Sequence, residues 1–88
     1  MQKKRNKTLR EKINEIKSKP CMDCGIKYPW WVMDFDHRPK TKKIDSIKNM
    51  VSRNRPLKII LKEIKKCDIV CSNCHRHRTY LRNHPELN

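Results

Sequence analysis

The chain has 88 residues, enough for one domain, and 35% hydrophobic against 36% charged residues leave it only a thin apolar core. A single glycine argues against a sheet-rich barrel with many tight turns, and no apolar run approaches the roughly 20 residues of a membrane span. The net charge is +14, from 23 Lys and Arg against 9 Asp and Glu spread along the whole chain. That balance points to nucleic acid, because each phosphate neutralised releases counterions.

The N-terminus, MQKKRNKTLREK, is basic but is not followed by the apolar segment of a secretory signal. A cytoplasmic setting with reduced thiols and no membrane partner is therefore expected. Thr8-Leu9-Arg10-Glu11 fits a capping box, and Leu9, Ile13 and Ile16 follow at helical spacing. Pro20 disfavours helix at Lys19, which predicts an end near Ser18.

After CMDCG, the run WWVMDFDH alternates Trp31, Met33 and Phe35 with Val32, Asp34 and Asp36, the period of a strand. The two tryptophans are expected as core beside the cysteines, with base stacking by one of them as the alternative. Arg38 to Lys43 is polar and basic, hence a loop. Asp45 is placed to cap a short helix presenting Ile47, Met50 and Val51, broken by Asn54-Arg55-Pro56. Pro56 suits the first turn of the next helix, where Leu57, Ile60, Leu61 and Ile64 form an apolar stripe. CDIVC predicts a second short strand and CHRHRTYLRN a last helix ending before Pro85.

Cys21-x-x-Cys24 and Cys71-x-x-Cys74 are two CxxC knuckles separated by 46 residues. Tetrahedral zinc takes four thiolates at about 2.3 Å, and a tight CxxC turn delivers two of them. A redox-active CxxC needs only one pair, so structural zinc on Cys21, Cys24, Cys71 and Cys74 is the stronger reading. Cys67, at the end of an apolar helix, is expected as a buried small hydrophobe.

Asp36-His37 closes the first strand and His75 follows Cys74. A hard divalent cation takes oxygen and imidazole ligands and leaves positions open for water and phosphate. Asp36 and His75 can supply two such ligands, with His37 free to accept a proton from water. Adjacent residues of an ideal strand point to opposite faces, so one site can use both only where the strand ends or bulges.

Taken together, CMDCG, DFDHRP and KCDIVCSNCHRHRT resemble the small HNH endonucleases common in bacteriophages and bacteria, over residues 21–82. The resemblance implies a small zinc-stabilised α+β domain of the ββα-metal (HNH, or His-Me finger) type with additional helices. Residues 1–20 would be a basic N-terminal helix, 21–82 the nuclease domain and 83–88 a C-terminal tail. It further implies DNA as the substrate, Asp36 and His75 as ligands of a catalytic Mg2+ or Mn2+, and His37 as general base. The family's phage context suggests packaging or recombination proteins as partners.

One departure stands out: where the family carries a middle asparagine that supports the loop bearing the base, this chain reads Lys66-Cys67-Asp68. Asn73 offers an amide nearby without being its equivalent. Arg38, Arg76, Arg78 and Arg82 are expected to contact phosphate, since guanidinium presents paired donors to its oxygens. His77 lies on another side of the helix from His75 and is expected at phosphate or in solvent; His84 lies past the helix end. The rival reading is a non-catalytic zinc-ribbon nucleic-acid-binding module in which Asp36-His37 is incidental.

Overall fold

The computed structural model describes residues 7–87. Residues 1–6, which carry the start of the expected basic N-terminal helix, and residue 88 lie outside the described residues. The architecture is α+β: α1 (Leu9–Lys17), a 3-10 turn (Trp30–Val32), β1 (Met33–His37), α2 (Ile47–Ser52), α3 (Leu57–Ile64), β2 (Cys67–Cys71), α4 (Ser72–Asn83) and a last 3-10 turn (Pro85–Leu87).

The start of α1 follows its cap, with the Thr8 hydroxyl oxygen accepting from the Glu11 amide at 3.1 Å. Ser46, one residue beyond the expected Asp45, caps α2 by accepting from the Asn49 amide; Asp45 instead accepts from the Ser46 amide. Pro56 opens α3, whose Ile60 is fully buried. Burial of a side chain of that size contributes about 1.5–3 kcal/mol. β1 and β2 pair antiparallel from Met33 opposite Cys71 to His37 opposite Cys67.

The first strand is shorter than the alternation of apolar residues suggests. Its partner ends at Cys71, where the chain turns into α4, so Trp31 and Val32 have nothing to pair with. They coil into the 3-10 turn, with the Val32 amide donating to the Pro29 carbonyl. Trp30 and Trp31 consequently stand 40% and 67% exposed, against the expectation of a core position.

Two small apolar clusters flank the sheet. Ile13, Ile47, Met50, Ile60 and Cys67 form one, with Phe35 and Leu57 packed against it. Cys21, Met33, Val70 and Cys71 form the other. Leu61, placed in the α3 stripe by spacing, is 37% exposed, whereas Glu63 is buried. The buried face of α3 is thus rotated towards Ile60, Glu63 and Ile64, and a carboxylate sits within it.

Candidate metal centre and the groove beside it

The first knuckle is a turn closed by the Gly25 amide on the Cys21 carbonyl (2.8 Å) and the Cys21 amide on the Ile26 carbonyl (2.9 Å). Gly25 has φ +76°, a conformation that costs a residue without Cβ nothing. The Met22 amide donates to the Ile69 carbonyl and fastens this turn to β2. The second knuckle is the β2–α4 junction itself, with Cys71 as N-cap of the helix and its sulfur accepting from the Cys74 amide at 3.4 Å.

The sulfurs of Cys21, Cys24, Cys71 and Cys74 lie within 4.8 Å of one another. A tetrahedron with 2.3 Å bonds has edges of roughly 3.8 Å, so one zinc fits with little adjustment. Burial opposes ionisation of Cys21, yet the amides of Cys24, Cys71 and Asp23 outweigh it and draw the thiol down to about 6. Cys74, hydrogen-bonded by Cys71 and partly desolvated, is pushed up to about 12. Without a cation the cluster therefore does not hold four thiolates at neutral pH; with one it can. Cys67 stands outside this cluster, buried, its thiol donating to the Glu63 carbonyl and raised to about 11 by burial.

Beyond the thiols, β1 sends Asp34 and Asp36 to one face and Phe35 and His37 to the other. Helix α4 meets the acidic face with His75, Arg78 and Arg82, spaced i, i+3 and i+7 along one side. His75 stands between the two carboxylates, Nδ1 at 3.0 Å from Asp34 Oδ2 and Nε2 at 3.4 Å from Asp36 Oδ1. A single ion takes only one imidazole nitrogen, so these are alternative ligand pairs.

The two pairs differ in what already occupies them. Asp36 is buried and accepts two hydrogen bonds from Arg82 (2.8 and 2.7 Å) and one from Arg78 (2.9 Å). Burial pushes its carboxyl up, but the two guanidiniums hold it below the ordinary range. Asp34 has a side chain 42% exposed, and it lines an open groove of about 580 Å³ together with His75. The pair that faces the groove is Asp34 with His75; Asp36, the ligand expected from the sequence, also lies against His75 but is held by Arg78 and Arg82.

Three of the four arginines expected at phosphate, Arg38, Arg78 and Arg82, are similarly engaged within the fold. Arg78 links Asp23 of the first knuckle, Asp36 of β1 and Asp68 of β2. Asp36 and Asp68 are direct cross-strand partners, a like-charge pairing that destabilises a sheet unless a cation bridges it. Arg38 donates to the carbonyls of Lys65 and Cys67 and lies 3.3 Å from Asp68. Arg76 and His77 are exposed on α4, and Asn73 is exposed in its first turn.

His37 lines the same groove from the other face of β1. Its Nε2 lies 2.9 Å from Glu63 Oε2, an oxygen that also accepts from the Ile44 amide at 3.0 Å. Glu63 Oε1 accepts from Lys66 at 2.9 Å. Burial opposes the charge of this carboxylate, but Lys66, the Ile44 amide and His37 outweigh it and lower its pKa to about 2. Glu63 thus ties the histidine to the loop that follows it, through the Ile44 amide. Its signal in the sequence was its place three residues after Ile60 and three before Lys66.

The fold and site together define a small α+β protein whose four-cysteine cluster is suited to zinc. Comparison with known proteins finds no matching family model, no matching curated protein and no matching solved structure.

Proposed function

We propose that the protein is a metal-dependent DNA endonuclease of the HNH type, stapled by zinc on Cys21, Cys24, Cys71 and Cys74. The observation that carries this reading is that His37 and the Asp34–His75 pair line one groove, together with Arg10, Lys17, Lys43 and Lys48. A histidine backed by a buried carboxylate and an imidazole–carboxylate pair, lining one groove from the two faces of β1, are the groups that proton transfer and cation binding need.

In this mechanism Glu63 orients the imidazole of His37, which accepts a proton from water as the water oxygen attacks phosphorus in line. The bond from phosphorus to the 3′ oxygen breaks, the leaving oxygen takes a proton from solvent water, and His37 later returns its own proton to solvent. His75 and Asp34 are the residues that would hold Mg2+ or Mn2+, both suited to oxygen and imidazole ligands. Such an ion supplies charge neutralisation at the phosphate and at the departing oxygen. Asp36, fixed by Arg78 and Arg82, then serves mainly to hold His75 in place; to ligate the ion it would first have to shed its arginines.

The engagement of Asp36 favours a second reading, a zinc-stabilised nucleic-acid-binding module without cleavage. A plasmid assay separates the two. Purified protein is expected to relax supercoiled DNA when magnesium or manganese is added, and His37→Ala to lower the rate by a factor of roughly 100 or more. Full activity in His37→Ala defeats the mechanism; salt-sensitive binding with no relaxation in any metal establishes the module.

A further inference from the structure

Trp30 and Trp31 remain unexplained by either the core or the chemistry. Both stand exposed in a chain with only three other aromatic residues of the Phe and Tyr type. Their rings meet edge to face, with centroids 5.5 Å apart and planes at 88°. In that arrangement the two rings do not stack on each other, and much of each indole, above all Trp31, stays exposed. Trp30 lines the groove that also contains Arg10, Lys17, Lys43, Lys48 and Asp34, four cations against one carboxylate.

We infer that this wall of the groove is a stacking platform for unpaired bases, and that the occupant is a single-stranded or locally unpaired stretch of nucleic acid. This rests on the proposal that the groove receives nucleic acid and names the class of substrate. The charge of the groove recruits the phosphates, and the indole faces take the bases. Every base has a π-face, so stacking of this kind is tolerant of sequence. A continuous duplex keeps its base faces inside the helix and offers the indoles only base-pair edges and sugar.

The 3-10 turn explains why the indoles are presented outward. Had the strand continued back through Trp31, the ladder would have needed a partner beyond Cys71, which is the N-cap of α4. The turn therefore sets Trp30 and Trp31 directly before the strand that carries Asp34 and His37. A base stacked on Trp30 would thus lie in the groove lined by the residues proposed to act on its phosphate.

The two tryptophans are the chain's only indoles, which makes intrinsic fluorescence the direct reporter. Zinc-loaded protein is titrated with a short single-stranded oligothymidylate and with a duplex of equal length, with no magnesium or manganese added. The expected result is marked quenching by the single strand and little by the duplex. Affinities of the variants are read by fluorescence anisotropy of labelled DNA. Trp30→Ala is expected to weaken single-strand binding roughly tenfold, with duplex binding changed less than twofold and with zinc content retained. Trp30→Phe, which keeps an aromatic face, is expected to recover most of the loss.

Equal quenching by both DNAs overturns the inference, as does an equal loss of both by Trp30→Ala. Binding in which Trp30→Phe fares no better than Trp30→Ala overturns it too, since packing rather than stacking would then be at work. Because no catalytic metal is present, these outcomes are independent of cleavage. A protein that stacks single strands but never relaxes plasmid keeps this inference and loses the endonuclease reading; the reverse pattern keeps the endonuclease and removes the platform.

Discussion

Glu63 is a charged residue on the buried side of an otherwise apolar helix, and its neighbours explain how it is tolerated. Burying a carboxylate costs several kcal/mol unless each lone pair is met, and here Lys66, the Ile44 amide and His37 meet them. Its carboxyl sits at about 2 against an ordinary 4.5, so the unfolded chain binds the proton that the folded chain refuses. The resulting stabilisation is complete above about pH 4.5 and is lost as pH falls through about 2. Its size is on the order of 3 kcal/mol. Glu63→Gln is therefore expected to lower stability at pH 7 by a few kcal/mol, and the gap to wild type, read by urea unfolding, to narrow below pH 4.5. In the plasmid assay the same variant is expected to lose about tenfold in rate with metal dependence unchanged, because His37 keeps its place in the strand but not its ring orientation. A gap that widens in acid, or a rate equal to wild type, removes Glu63 from this role.

The elements meet at the two knuckles, so the thiols act on helices and strands more than on single residues. The second knuckle is at once the end of β2 and the cap of α4, and the first is bonded to β2 through Met22. Withdrawal of zinc is accordingly expected to release α4 and with it the placement of His75 opposite Asp34. Structural zinc in small modules contributes on the order of 10 kcal/mol. Chelation should therefore abolish cooperative unfolding and lower helical circular dichroism, with recovery on adding zinc back. Cys24→Ser is expected to lose bound zinc, whereas Cys67→Ala retains one zinc per chain; loss of metal from both would show that the fifth thiol had been misplaced. The knuckles, α1, α3 and β2 were legible because each rests on local rules: CxxC spacing, a capping threonine, a helical apolar period and a short β-branched run. The start of β1 was not, since it depends on where the partner strand stops. The engagement of Arg78 and Arg82 was half visible. The i, i+3, i+7 row of His75, Arg78 and Arg82 answers the alternate row of Asp34 and Asp36, but only the strand–helix packing shows that the two rows face each other.

Across the described residues, the excess of positive charge divides into cations paired with carboxylates of the fold and cations that line the groove or the outer surface. Arg78, Arg82 and Lys66 are neutralised by Asp36, Asp23, Asp68 and Glu63 and act as internal ties. Arg10, Lys17, Lys43 and Lys48 converge on the groove. Lys58 and Lys62 ride the exposed side of α3. Net charge alone attracts any polyanion, but only cations that touch phosphate release counterions, so the salt dependence of binding counts contacts and not charge. For a short single strand in the groove, four contacts predict a slope of about −3 in log K against log salt concentration. Lys43→Ala is expected to reduce that slope by about 0.7, and Lys58→Ala to leave it unchanged. Equal effects of the two substitutions, or a slope near −8, would mean that the strand spreads over the general basic surface, and the groove would lose its claim to be where nucleic acid is held.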